Sequence, residues 1–102
     1  MAIVAKAVQT NNEKELVKLD LMIHTAKTLI KNLLSIEVPQ DAVVVHLGLL
    51  NTSSTLLSNL EAMRVTFSDP VKGFVGASQY VEHLNDFLSA VKDTRVYFDQ
   101  KL

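Results

Sequence analysis

The chain carries three histidines, His24, His46 and His83, and no cysteine, so acid–base chemistry or metal ligation would fall to imidazole and carboxylate groups. No two histidines stand four residues apart, the spacing that would place both on one helix face toward a metal. His46 is expected at the core edge of its helix, and His83 is expected to point away from its helix's apolar stripe, beside Glu82 and Asp86. Glu13, Glu15, Asp20, Glu82, Asp86 and Asp93 read as helix-surface charges or capping groups, not as a carboxylate pair in a cleft. Gly73 and Gly76 are spaced as a small-residue packing pair, and no glycine-rich phosphate loop or serine or aspartate nucleophile motif occurs. These residues assign no catalytic group, no cofactor and no metal.

The tetrapeptide His24-Thr25-Ala26-Lys27 resembles the core of the histidine phosphotransfer signature, with Thr28 where that family has glycine. The resemblance implies His24 as a phosphoryl acceptor and Lys27 as its electrostatic support. Asp20, four residues before His24, offers the plainer alternative of a surface carboxylate–imidazole pair.

The elements that would hold these residues are helices. Thr10-Asn11-Asn12-Glu13 has the form of a capping box, and Leu16, Leu19, Ile23, Ala26, Ile30 and Leu33 then recur in steps of three and four. That helix is predicted to end near Ile36, where Glu37-Val38-Pro39 interrupts it. A second helix is predicted over 40–67 along Ala42, Val45, Leu49, Leu56, Leu60, Met63 and Phe67, with Ser53 filling the missing step. Ser68-Asp69-Pro70 starts a third, predicted to run to about Asp99 along Val71, Phe74, Ser78, Val81, Leu84, Leu88, Val91, Arg95 and Phe98. Short links make consecutive helices antiparallel, so the expected fold is all-α, an antiparallel up-down-up three-helix bundle over 11–102. Residues 1–10 would form a short apolar N-terminal arm or helical extension.

The second helix has no charged residue between Asp41 and Glu61, where Asn51, Thr52, Ser53, Ser54, Thr55, Ser58 and Asn59 supply the polarity. Solvated helix faces normally use Lys and Glu, which have better helix propensity than Ser, Thr or Asn. Two readings follow: a central helix partly covered by the arm, or a subunit contact. In the second, Ile3, Val4 and Val8 of the arm and Val43, Val44, Leu47, Asn51, Ser54 and Ser58 of the strip are the candidate self-association residues. An arm seated on the next copy's strip would make a heterologous contact, able to propagate into a ring or filament.

Composition narrows the partners. Ten Lys and Arg against eleven Asp and Glu provide no field to gather nucleic acid, and the aromatic residues lie at helical spacings without interleaved basic residues. Ala2–Val8 is too short to span a bilayer and lacks the charged leader of a signal peptide. The segments Asn32-Leu33-Leu34, Val38-Pro39, His46-Leu47, Leu50-Asn51 and Asp69-Pro70 to Tyr80 resemble helical domains of uncharacterised envelope proteins of small-genome uncultivated bacteria. That resemblance implies an extracytoplasmic or cell-surface setting and a role in assembly. The sequence thus points to a non-enzymatic structural or protein-interaction module whose partner is itself or another protein, with histidine phosphotransfer through His24 as the alternative.

Overall fold

The computed structural model describes residues 2–101, so Met1 and Leu102, the outer ends of the two expected segments, lie outside the described residues. Four α-helices follow one another: α1 (Ala2–Thr10), α2 (Lys18–Ser35), α3 (Val43–Arg64) and α4 (Pro70–Lys101). Single 3₁₀ turns at Glu13–Val17 and Gln40–Ala42 lead into α2 and α3.

The apolar arm is therefore the helix α1, and its end corrects the capping-box reading. Thr10 does not cap the following helix; its hydroxyl donates back to the Lys6 carbonyl at 2.7 Å. Asn11 takes the left-handed conformation (φ 50°), Asn11 N–H donates to Val8 O and Asn12 N–H to Ala7 O, which together form a Schellman stop. Asn12 then caps the 3₁₀ turn, its side chain accepting from the Lys14 amide at 3.1 Å. A nine-residue helix is marginal by itself, so α1 depends on packing. Val4 and Ala7, one turn apart, join Leu16, Leu19, Leu60 and Met63 in the buried cluster of the molecule. A carboxylate clamp completes the corner: Glu15 accepts from the Lys18 ammonium at 2.6 Å and faces that of Lys6 at 3.7 Å. The bond from Lys18 and the two positive charges hold the Glu15 carboxyl below its ordinary value of 4.5, against the opposing effect of partial burial.

Helix α3 is the spine, packing along α4 and along α2. The expected stripes of α2 and α3 are covered: Leu19, Leu33, Ser53, Leu60 and Met63 are buried, and Ile23, Ala26, Ile30, Val45, Leu49 and Leu56 half-buried. Ser53 fits because its hydroxyl donates to Leu49 O at 2.6 Å and so carries no unmet donor into the interior. Asp20 of α2 accepts from Arg64 at the end of α3 (2.8 Å), and Tyr97 near the end of α4 donates to Asp41 before α3 (3.0 Å).

On α4 the sequence expectation selects the wrong face. Val71, Phe74, Ser78, Val81, Leu88, Val91, Arg95 and Phe98 are exposed, and only Leu84 of that stripe is half-buried. The side toward α3 instead carries Gly73, Gly76, Ala77, Tyr80, His83, Phe87, Ala90, Thr94 and Tyr97. The reason is close approach. The buried Asn59 amide of α3 donates to Gly76 O at 2.7 Å, and a β-carbon at Gly76 would stand 3.1 Å from both Ala62 Cβ and Asn59 O. At Gly73 it would collide with the Thr66 side chain and backbone. Glycines and alanines at this seam admit backbone-to-helix contact that larger side chains would prevent. Asp69 begins the helix as expected, accepting from the Lys72 amide at 3.2 Å ahead of Pro70.

Two stability measurements check this account. Gly73→Ala is expected to destabilise by about 1–3 kcal/mol through overpacking, despite a helix-propensity gain of about 1 kcal/mol. Gly48→Ala, with nothing within 4 Å of the added carbon, is expected to stabilise by up to about 1 kcal/mol. Denaturant unfolding of the two variants decides it. Because the Glu15 carboxyl is lowered, its contribution is fully present above the ordinary carboxylate range and lost as pH falls through the lowered value. The stability gap between wild type and Glu15→Gln should therefore close on acidification in a series of urea titrations.

Candidate interaction surface

The uncharged strip of α3 lies outward. Val44 is 82% exposed, Leu47 47% and Val43 40%, and Asn51, Ser54 and Ser58 are exposed with them. At 3.6 residues per turn these positions share the side of α3 opposite Leu49, Ser53, Leu56 and Leu60. The polar residues of this stretch turn their hydroxyls onto their own helix. Thr52 donates to Gly48 O, Ser53 to Leu49 O, Ser54 to Leu50 O and Thr55 to Asn51 O, four consecutive bonds of 2.6–3.0 Å. On the outer strip itself Ser54 is engaged in this way, which lowers the desolvation cost of covering that hydroxyl.

The arm is not placed to reach this strip from within the chain. Val4 is 2% exposed and Ala7 wholly buried among Leu16, Leu19, Leu60 and Met63, on the inner side of α3. Val4 is thereby corrected from candidate contact residue to core residue, because one face of α1 is consumed by its own chain. Ile3 is half-buried beside that cluster, and Val8 retains 41% exposure.

A second surface was not anticipated. Between α2 and α4 runs a shallow apolar groove of about 330 Å³, walled by Leu21, Met22, Ala26 and Leu29 on one side and Tyr80, Leu84 and Phe87 on the other. Its floor is Ser53, Leu56 and Leu60 of α3. A further hollow of about 280 Å³ involves Leu33, Ile36, Val45, Leu49, Tyr97 and Phe98, near the link between α2 and α3. Phe98 packs edge-on against Tyr97 there, with ring centroids 5.2 Å apart. The signal for the groove was present in Leu21 and in the split apolar faces of α4, but a periodicity count assigns only one face per helix.

The residues read for chemistry are scattered. His24 and Lys27 are both exposed, one turn apart on α2. Asp20 is turned to Arg64, which corrects its expected pairing with His24. His46 is half-buried at the hollow near the link between α2 and α3. His83 departs from expectation: it faces α3, beside Asn51, Thr52, Thr55 and Asp86, and its Nδ1 is buried without a protein partner, as is Asn59 Oδ1. Among the described residues no cluster of three or more His, Asp or Glu side chains could hold a metal ion, and no helix is long and apolar enough to cross a membrane. No protein-family model, curated protein or solved structure matches the chain.

If the strip faces outward as described, Ser54→Glu and Ser58→Glu are each expected to change the stability of the isolated chain by less than about 0.5 kcal/mol. A loss several times larger in thermal unfolding would place the strip inside the fold.

Proposed function

We propose that the protein is a non-catalytic structural or protein-interaction module that associates with copies of itself, built on an up-down-up bundle of α2, α3 and α4. One observation carries this reading. The chain exposes 6759 Å², whereas a folded monomer of 11.3 kDa exposes about 5,700 Å². Its radius of gyration is 15.7 Å, against about 13 Å for a compact domain of this length. The excess is apolar in good part: Leu21, Leu34, Val44, Val71 and Val81 are each more than 60% exposed. That exposed apolar surface is what a second copy would cover.

The outer strip of α3, namely Val43, Val44, Leu47, Asn51, Ser54 and Ser58, with Ile3 and Val8 of α1, is one set of residues proposed for that contact. Uncharged and only weakly polar, it suits close helix packing better than solvation. A subunit of a surface or filament-like assembly is the setting proposed for it, in keeping with the envelope resemblance. Sedimentation velocity of the full chain from micromolar to millimolar concentration tests the reading. Reversible growth of the sedimentation coefficient is expected, and a single monomeric boundary throughout would refute it.

A second reading rests on the open imidazole of His24. With Asp20 held by Arg64, His24 and Lys27 stand free on one exposed face, so His24 could accept a phosphoryl group with Lys27 balancing its charge. Acid-labile, alkali-stable labelling from a phosphorylated response-regulator donor, abolished by His24→Gln, would establish it; no labelling would eliminate it.

A further inference from the structure

Two buried polar atoms have no partner among the described residues, Asn59 Oδ1 on α3 and His83 Nδ1 on α4. A buried acceptor left unpaired is costly, so each calls for a partner that the chain does not supply. Both residues line one cleft of about 320 Å³ between these helices. Only an amide nitrogen can donate to the Gly76 carbonyl, 2.7 Å from Asn59 Nδ2, so Oδ1 is the atom left over, on a residue that is 4% exposed. His83 stands seven residues after Gly76, two turns along α4 and on nearly the same face. Side chains on a helix lean toward its N-terminus, which brings the imidazole back toward the contact between Asn59 and Gly76.

The groups around these two atoms offer lone pairs. Thr55, in the same cleft, donates to Asn51 O at 3.0 Å. Thr52 lines an adjoining hollow of about 110 Å³ that His83 and Thr55 share, and donates to Gly48 O at 2.8 Å. With their protons engaged on their own helix, both hydroxyl oxygens are left to accept. Asp86 adds a carboxylate to the hollow, and His83 Nδ1 is an acceptor when the ring proton is on Nε2. A ligand that satisfies these atoms must bring donors and positive charge. We propose that the cleft binds a small organic compound through one primary ammonium group, seated between Asn59 and His83, since an ammonium has three N–H donors and no acceptor. A hard metal cation takes oxygen ligands and would leave the imidazole nitrogen unserved.

The other end of the cleft describes the rest of the compound. Ala62 and Val75 give it an apolar wall, and Lys72 places a positive charge beyond them. Lys72 stands four residues before Gly76, about 6 Å along the helix axis. A short alkyl chain running from the ammonium over Ala62 and Val75 therefore ends near the Lys72 ammonium, which repels a second cation there. The ligand class is a monoamine with a short apolar tail. Gln79 and Lys72, both exposed at the sides of the cleft, are the side chains free to turn and admit it. The site lies within one chain and is independent of self-association.

The test is an NMR titration of the full chain with butylammonium chloride, reading the Asn59 side-chain amide and the His83 ring nitrogens. Saturable shifts of both residues are expected, with the ring nitrogens moving to the pattern of the Nε2-protonated tautomer. Tetramethylammonium chloride carries the same charge without an N–H and should shift neither. His83→Phe should weaken butylammonium binding by at least about tenfold, the loss of one hydrogen bond to a charged group. Should that variant lose helicity by circular dichroism, Thr55→Val at the exposed edge supplies the comparison, with at least about threefold weakening expected. Shifts that tetramethylammonium reproduces, or binding that neither substitution weakens, would overturn the site. So would two residues that stay unmoved at high millimolar butylammonium, the result for atoms served by ordered water only. Tighter binding of 1,4-diaminobutane than of butylammonium would overturn the assignment of a single ammonium.

Discussion

The arrangement depends on one close contact, the Asn59 amide of α3 donating to the Gly76 carbonyl of α4 inside the protein. A helix carbonyl already engaged in its own ladder can take this second bond only if a neighbouring side chain reaches the backbone, and Gly76 leaves the room. Fixing that contact fixes which side of α4 faces α3. Glycine and alanine then line the start of the seam, Tyr80, Phe87 and Tyr97 continue it, and Val71, Phe74, Val81 and Leu88 emerge at the surface. The interior gains close packing and a satisfied donor. The exterior carries the apolar side chains that such a seam has no space for.

The remaining features follow from that partition. With α3 as spine, α2 and α4 flank it and leave their own junction shallow and apolar, closed at one end by α1. The Schellman stop at Asn11 and the Glu15 clamp turn α1 back onto Leu16, Leu19, Leu60 and Met63. On the far side of the spine, Val43, Val44, Leu47, Asn51, Ser54 and Ser58 give an uncharged, weakly polar surface.

Much of this could be read from the chain. The stop at Glu37-Val38-Pro39, the start at Asp69-Pro70 and the inward stripes of α2 and α3 follow local rules that tertiary structure leaves intact. The role of Ser53 as a tolerated core polar residue was also legible, because Leu49, Leu56 and Leu60, four before it and three and seven after it, are apolar. The face of α4 was not. Its sequence carries apolar residues on more than one side, and summed hydrophobicity favours Val71, Phe74, Val81 and Leu88, whereas the choice was made by steric space at Gly73 and Gly76. The cap at Asn12 in place of Thr10 was hidden for a similar reason: α1 was itself helical and used Thr10 internally. Leu21 and the split apolar faces of α4 signalled the groove, but its place was not legible, because it is the gap between two helices remote in sequence.

The central claim is that apolar side chains exposed on the single chain are covered by another copy in solution. Methyl NMR spectra recorded across a dilution series test it most directly. The account expects the Leu21, Val81 and Leu88 methyls to shift together with concentration and to follow the tumbling time of the particle, while Met63 in the core stays fixed. Exposed methyls that keep one position from dilute to concentrated solution, with the tumbling time of a monomer throughout, would contradict it.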